Sequence, residues 1–255
     1  MLKIVFKICC GIDVHKDFVV ACIAKTDDKN VTTYQTKRFS TFTNGLRELS
    51  EWLCSNSCKD VCMESTGKYW YPVFNILEDS CKVIVAHPKY VKAIRGKKTD
   101  KKDAKWIADL FKHDLVVSSF IPDRCIRQLR DLCRYYCKLT NLTTSETQRT
   151  HNCLTVSNIQ LANVVSDING KSAQKILSKI LENPNDTSFD IESLLHKSML
   201  PKLDDIALAI DGVITTEQAS KLQIIKKHFD NLNICKSDLE NLIYELAKPY
   251  EHEIA

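Results

Sequence analysis

The chain has few of the residues that break regular structure, with only six glycines and six prolines among its 255 residues. Low-complexity and linker-rich regions are usually rich in both, so this composition leaves little room for them. Apolar residues make up 44% of the sequence and charged residues 27%, close to the average of globular proteins. We therefore expect one or two folded domains with a substantial core, as the length allows.

Long apolar runs are also missing. The apolar stretch behind the first lysines is short, because Asp13 and Lys16 interrupt it. A membrane-spanning helix needs about 20 apolar residues, and a signal peptide needs an unbroken apolar segment before its cleavage site. The sequence therefore predicts no membrane partner and no export, and it favours a cytoplasmic location.

The twelve cysteines include no CxxC pair, the spacing most typical of structural zinc sites. Cys54, Cys58 and Cys62 are four residues apart, as are Cys133 and Cys137. The density, roughly one residue in twenty, is far below that of small domains held together by disulfides. We expect reduced and mostly buried thiols that behave as small apolar residues.

The net charge of +4 is unevenly distributed along the chain. Residues 89–138 include fourteen Lys or Arg and six Asp, so this segment carries a net charge of +8 and the remainder −4. A basic middle segment suits a polyanion bound at one place, and a solvated helix face is the alternative. Composition alone leaves both interpretations open.

Short β-rich runs alternate with helical segments in the first third of the chain, which is typical of α/β domains. Three strands are followed by a helix, a strand, a helix and a strand, an order compatible with an RNase H-like sheet. We predict strands at residues 8–14, 18–24, 31–39, 60–64 and 82–86, and helices at 43–54 and 69–78.

The pattern beyond Pro88 is almost entirely helical. We predict helices at 100–113 and 122–150 and a last one that begins near Thr215. Apolar residues of this last helix step by three and four, which predicts either a coiled-coil seam between subunits or packing within its own domain. They are Leu222, Ile225, Phe229, Leu232, Leu239, Ile243 and Leu246.

Two of the predicted strands end in an acidic residue, Asp13 and Glu64. Strand alternation puts Asp13 on the same face as Gly11, whose missing side chain would leave room for a close ligand. Each acid alone is compatible with an ordinary turn. If the two strands are neighbours, however, the carboxylates would repel each other unless a proton or a cation lies between them.

Two further acids, Asp100 and Asp103, begin a predicted helix and project from the same side of it. Asp103 lies in line with Ile107 and Phe111, on the apolar face, whereas Asp100 could also be an N-cap. Together with the two strand acids they can form an oxygen-only pocket for Mg²⁺ or Mn²⁺. Two such ions about 4 Å apart would stabilise both oxygens of a phosphodiester exchange, so phosphoryl transfer on nucleic acid is the hypothesis.

Basic residues bracket these acids and continue into the next helix, where they would attract a nucleic-acid backbone. His15 and His87 could be ligands, but a histidine beside a sheet is more often structural, and neither is assigned a role. Tyr69, Trp70 and Tyr71 could stack on bases, although core packing is the commoner use. The predicted nucleic-acid-binding residues are Lys97, Lys98, Lys101, Lys102, Lys105, Arg124, Arg127, Arg130 and Arg134.

Three segments carry a family resemblance: GIDVHKD at residues 11–17, MESTGKYW at 63–70 and KTDKKDA at 98–104. In order and spacing they resemble the DEDD transposases of bacterial insertion sequences, a group related to the Piv invertase. The resemblance implies an α/β RuvC-like (RNase H-type) domain at 1–115, followed by an α-helical coiled-coil region at 116–255 that forms homo-oligomers and binds nucleic acid. The implied metal-binding and catalytic tetrad is Asp13, Glu64, Asp100 and Asp103.

The resemblance also implies DNA as a partner, a structured guide (bridge) RNA as a further one, and a bacterial source. Family members continue into a second domain with a nucleophilic serine, and no segment before Ala255 resembles it. We therefore expect a truncated transposase that does not complete recombination alone. Two alternatives stay open: a RuvC-like structure-selective DNA endonuclease, and a non-catalytic DNA-binding regulator of full-length transposase.

Overall fold

The structure is a computed structural model that describes residues 2–65, 67–87, 91, 99–184 and 189–254. It consists of two compact units, Met1–Pro122 and Asp123–Ala255. The first unit extends past residue 115, because the amide of Ser119 donates to the Val85 carbonyl and Ile121 packs against the core of the sheet.

The first unit contains a five-stranded mixed sheet in the order β3-β2-β1-β4-β5. β2 is antiparallel to β1 and β3, whereas β4 is parallel to β1 and β5. This is the RNase H-like arrangement expected from the order of elements, and the predicted strand positions are confirmed to within two residues. The strands are β1 (Ile8–Val14), β2 (Phe18–Thr26), β3 (Thr32–Ser40), β4 (Asp60–Glu64) and β5 (Lys82–Ala86).

Helices cover both faces of this sheet. On one face, α1 (Thr43–Ser55) and α2 (Trp70–Leu77) pack on the apolar side chains of the central strands, and α1 buries Leu46, Leu49 and Leu53 at helical spacing. On the other face lies α3 (Asp100–Lys112), which buries Ile107 and Phe111. β1 and β2 are therefore buried on both sides, which explains their nearly continuous apolar sequences.

The second unit is helical in its described part. Two long antiparallel helices, α4 and α8, account for about half of it, and short elements between them close a second apolar core. In chain order the helices are α4 (Arg124–Val156), α5 (Leu161–Val164), α6 (Lys171–Glu182), α7 (Leu203–Ala209), α8 (Thr216–Ala247) and α9 (Glu251–Ile254), with 3₁₀ turns at Glu192–Leu194, Lys197–Lys202 and Lys248–Tyr250.

The apolar seam predicted for the last helix packs against α4 of the same unit. Leu232 and Leu239 of α8 contact Leu139 of α4. Tyr136 donates a hydrogen bond to the Glu240 carboxylate across the same interface. The seam is thus part of the core of its own unit.

Within the described ranges, no helix combines the length and apolar composition that spanning a bilayer requires.

All twelve cysteines are free thiols, and seven of them are buried. Burial raises the pKa of Cys9, Cys58 and Cys62 to about 12. These side chains therefore stay protonated at neutral pH and act as small apolar residues of the sheet core.

Candidate metal and nucleic-acid site

The close approach of α3 to β1 determines where the acids lie. Gly11 is the contact point, because a Cβ atom there would lie 2.3 Å from the Ala108 nitrogen and 2.4 Å from the Ala104 oxygen. Only glycine allows the helix backbone to approach this closely. The sequence predicted room for a ligand beside Gly11; that prediction is wrong, because the helix occupies the space and places its first turn beside the end of β1.

Asp13 follows Gly11 on the same face of β1 and is 8% exposed. Its pKa is raised, because burial disfavours the charged form and the negative charges of Asp103 and Asp100 add to that effect. His15 opposes this shift through its charge and its hydrogen bond. A carboxylate with this environment is one that a bound cation would stabilise.

Asp100 and Asp103 lie in the first turn of α3, as the sequence predicted. The N-cap is Thr99 rather than Asp100, so Asp100 is the first helical residue. Asp100 is exposed and Asp103 half-buried, and the amide of Asp103 donates to the Thr99 carbonyl. The positive end of the helix dipole partly offsets the repulsion between these acids.

Glu64 ends β4, which pairs in parallel with β1. Ile12 lies opposite Met63 in this ladder, so Asp13 and Glu64 follow at the same edge of two neighbouring strands. Paired residues of adjacent strands share a face and lie about 5 Å apart in the backbone. The backbone register thus places the half-buried Glu64 beside Asp13, whereas the compact group of possible ligand atoms consists of Asp13, His15 and Asp100.

His15, which the sequence suggested as a possible ligand but to which no role was assigned, lies in the acid cluster. Its Nε2 lies 3.0 Å from Asp13 Oδ2 and 3.6 Å from Asp100 Oδ1. One ligand atom from each of these three residues lies within 4.8 Å of the others, which is compatible with a shared metal ion. The signal was available in the sequence, because position i+2 of Asp13-Val14-His15 falls on the same strand face.

Those of the predicted basic residues that the structure describes fall on two helices, one in each unit. Lys101, Lys102 and Lys105 are exposed on α3, whereas Lys97 and Lys98 lie outside the described residues. α4 carries Arg124, Arg127, Arg130 and Arg134, all exposed except the half-buried Arg127. Their spacing of three and four residues puts them along one face of the helix.

The aromatic segment after β4 is divided between the core and the surface. Trp70 is buried in the core, whereas Tyr69 and Tyr71 are partly exposed. The ring of Tyr71 stacks on Trp70 with centroids 4.0 Å apart. Core packing is therefore the structural use of Trp70, as the sequence favoured.

The last turn of α3 carries a second polar cluster, built differently from the first. The buried Lys112 Nζ lies 3.0 Å from Asp109 Oδ1, 3.2 Å from the Tyr34 hydroxyl and 3.3 Å from Thr32 Oγ1. The Tyr34 hydroxyl also donates to Asp109. One cation and one carboxylate are thus paired, and hydroxyl groups accept further hydrogen bonds from the cation.

Comparison with known families shows to which family the chain belongs. The model of a transposase family, the DEDD type of IS110, matches residues 10–159, more than half of the chain. The chain belongs to this family. By family it is an enzyme, a transposase, and its α/β domain is followed by a helical region.

No curated protein matches the chain. Among solved structures, Thermus thermophilus RuvC is 13% identical with a TM-score of 0.32, over 42% of this chain and 93% of RuvC. Its complex with a Holliday junction substrate gives 12% identity and a TM-score of 0.30, with the same coverage. The Fowlpox virus resolvase bound to Holliday junction DNA is 20% identical with a TM-score of 0.27, over 41% of this chain and 72% of the resolvase.

Proposed function

We propose that the first unit is the metal-dependent DNA-cleaving centre of an insertion-sequence transposase, built on Asp13, Glu64, Asp100 and Asp103. The observation that carries this proposal is the surplus of negative charge beside β1, where the helix that approaches Gly11 places two acids next to a buried third. Such a surplus is costly unless a cation or a proton neutralises it.

The donor set fits a divalent ion. Carboxylate oxygens dominate it, as Mg²⁺ and Mn²⁺ prefer, and the imidazole of His15 is a ligand that Mn²⁺ accepts as well. A bound ion would supply a Lewis acid for the phosphoryl oxygens of DNA. Without an ion, His15 contacts the same carboxylate, because its Nε2 lies 3.0 Å from Asp13 Oδ2.

DNA is the substrate that this chemistry and family imply, and the basic residues supply its electrostatic attraction. In this proposal, the DNA strand that lies near the acids is bound by Lys97, Lys98, Lys101, Lys102 and Lys105. The basic face of α4, with Arg124, Arg127, Arg130 and Arg134, is assigned to further nucleic acid, either DNA or a structured guide RNA. A homo-oligomer and a location in the bacterial cytoplasm complete the proposal.

The direct test is cleavage of supercoiled plasmid DNA by the purified chain with Mg²⁺ or Mn²⁺. We expect Asp13→Asn and Glu64→Gln to lower the nicking rate at least a hundredfold, on the scale of losing one electrostatic contact to the transition state. Asp79→Asn is the matched control, because Asp79 is exposed in the turn before β5. Its nicking rate should equal that of the wild type.

The products separate the proposal from its two alternatives. Metal-dependent nicks in plain duplex DNA support the transposase centre, whereas a strong preference for branched junctions over plain duplex favours a structure-selective endonuclease. DNA binding without any nicking, together with assembly onto a full-length transposase, favours a regulator. Nicking that survives both Asp13→Asn and Glu64→Gln would contradict the assigned centre.

A further inference from the structure

The edge strand β3 presents a cation to the acid cluster across the sheet. Asp13 pairs with Val20 of β2, and Val20 pairs with Arg38 of β3. Residues in such a row share one face, here the face covered by α3. Since adjacent strands are about 4.8 Å apart, the backbone of Arg38 lies about 10 Å from that of Asp13.

An aromatic ring holds the Arg38 side chain at this position. Its guanidinium carbon lies 3.6 Å from the centroid of the Phe18 ring. The ring of His15 stacks on the same phenyl group, with centroids 4.5 Å apart. Arg38 and His15 therefore contact one shared ring, and a cation–π contact restricts the motion of the guanidinium.

Arg38 is exposed and keeps its hydrogen-bonding capacity. In the described part of the chain no carboxylate pairs with its guanidinium, and its contact with Phe18 is made to an aromatic ring rather than to a hydrogen-bond acceptor. The N–H groups at the rim remain directed outward in the plane of the guanidinium. A planar cation held on a ring in this way is suited to bidentate contact with a phosphate.

A second cation occupies an equivalent position further along β3. Tyr34 lies on the same strand face as Arg38, two alternations away, and Lys105 Nζ lies 4.2 Å from its ring centroid. Lys105 has no ion-pair partner among the described residues either. Two exposed cations thus line one side of α3, each on an aromatic ring, with Arg38 at the end nearer the acids.

We propose that Arg38, together with Lys105, forms a phosphate-binding track along β3 that positions the DNA strand to be cut. Arg38 contacts a backbone phosphate next to the scissile one, and Phe18 keeps its guanidinium in place before the strand arrives. This inference rests on the proposed function, because the track has a use only if the acid cluster acts on nucleic acid.

The test is the salt dependence of DNA binding, measured by fluorescence anisotropy with a labelled duplex in the presence of Ca²⁺. Each phosphate contact contributes about 0.9 to the slope of log K against log salt. Arg38→Gln should therefore lower the slope by about 0.9, and Arg38→Lys should retain it, since the charge is kept. Lys105→Gln should also lower the slope by about 0.9.

Arg47→Gln is the matched control, because Arg47 is exposed on α1, which packs on the opposite face of the sheet. Its slope should equal the wild-type slope, and calorimetric metal affinity should be unchanged in every variant. If the wild type binds DNA and Arg38→Gln leaves the slope unchanged, or Arg47→Gln lowers it equally, the track is refuted while the proposed function stands. If the wild type binds no DNA, both fall.

Discussion

The two ends of α3 carry polar clusters that the fold treats in opposite ways. At the C-terminal end, the buried Lys112 is neutralised by Asp109 and hydrogen-bonded by Tyr34 and Thr32. At the N-terminal end, Asp100 and Asp103 crowd a buried Asp13, and among the described residues a histidine is the basic group that pairs with it. Both ends rest on the same sheet, so burial alone does not explain the difference.

Charge balance explains it. Although burial lowers the pKa of Lys112, its hydrogen bonds to Asp109 and Tyr34 raise that pKa overall, as expected of a complete ion pair. The pKa of Asp13 is also raised, but here the shift signals a carboxylate that resists ionisation. A structural charge thus comes with its partner, whereas at the acid end a proton or a bound cation would have to balance the remaining negative charge.

The largest expected effect on stability comes from removing the cation at the C-terminal end of α3, where the charges are balanced. Lys112→Met keeps most of the aliphatic side chain but leaves Asp109 without its cation, which should lower the free energy of unfolding by about 3 kcal/mol. Urea denaturation measures this change. Lys101→Met is the control, because Lys101 is exposed on the same helix and its loss should change stability by less than about 0.5 kcal/mol. Equal effects of the two substitutions would refute the distinction.

A somewhat smaller effect on stability is expected from separating α3 from β1. Gly11→Ala places a Cβ against the backbone of Ala104 and Ala108, and α3 must move away. We expect a loss of about 1–3 kcal/mol in the free energy of unfolding, together with weaker metal binding, because the acids of α3 shift relative to Asp13.

Gly170→Ala provides the matched control for that substitution. A Cβ at Gly170 would meet its nearest atom, the Asp167 oxygen, at 3.1 Å, so the neighbours need to yield by only a few tenths of an ångström. Because Gly170 is also the N-cap of α6, where alanine is less favourable, urea denaturation should show a loss of less than about 1 kcal/mol for this variant. A Gly11→Ala variant as stable as the wild type would contradict the proposed close packing.

The smallest change in stability is expected at Asp13. Because its pKa is raised in the folded chain, the folded state holds that proton more tightly than the unfolded state. Without metal, the free energy of unfolding should therefore fall as the pH rises from the pKa of this carboxyl group in the unfolded chain through its raised pKa in the folded chain. Asp13→Asn should remove this decline and stabilise the chain at pH 7 in EDTA by less than about 1 kcal/mol, since its contact with His15 is weakened.

The measurement is thermal unfolding in EDTA at several pH values. Asp79→Asn should keep the wild-type profile, because Asp79 is exposed and lies apart from the cluster. An Asp13→Asn variant that is less stable than the wild type at pH 7 would show that the charged carboxylate stabilises the fold. The contrast between the two ends of α3 would then be wrong.

Local sequence patterns predicted the sheet and α3 well, because strand alternation and helical spacing are strong over these segments. The prediction for β4 at 60–64 is confirmed residue for residue, and α3 ends one residue earlier than predicted. Helices between residues 157 and 214 were not predicted, because elements of four to twelve residues give weak periodicity and are fixed by tertiary packing.

The site was only partly predictable for a similar reason. The four acids were singled out by their positions at strand ends and in one helix turn. The role of Gly11 depends on how closely α3 packs, which no local pattern encodes. Arg38 lies near Asp13 only through two antiparallel ladders, so its place became apparent from the strand register.

The central claim is that a metal ion joins the acids of β1 and α3, and calorimetric titration with Mn²⁺ tests it most directly. We expect the wild type to bind, Asp13→Asn and Asp103→Asn to lose at least tenfold in affinity, His15→Gln to lose about tenfold, and Asp79→Asn to bind like the wild type. Unchanged affinity in both Asp13→Asn and Asp103→Asn, with the fold intact, would contradict the account.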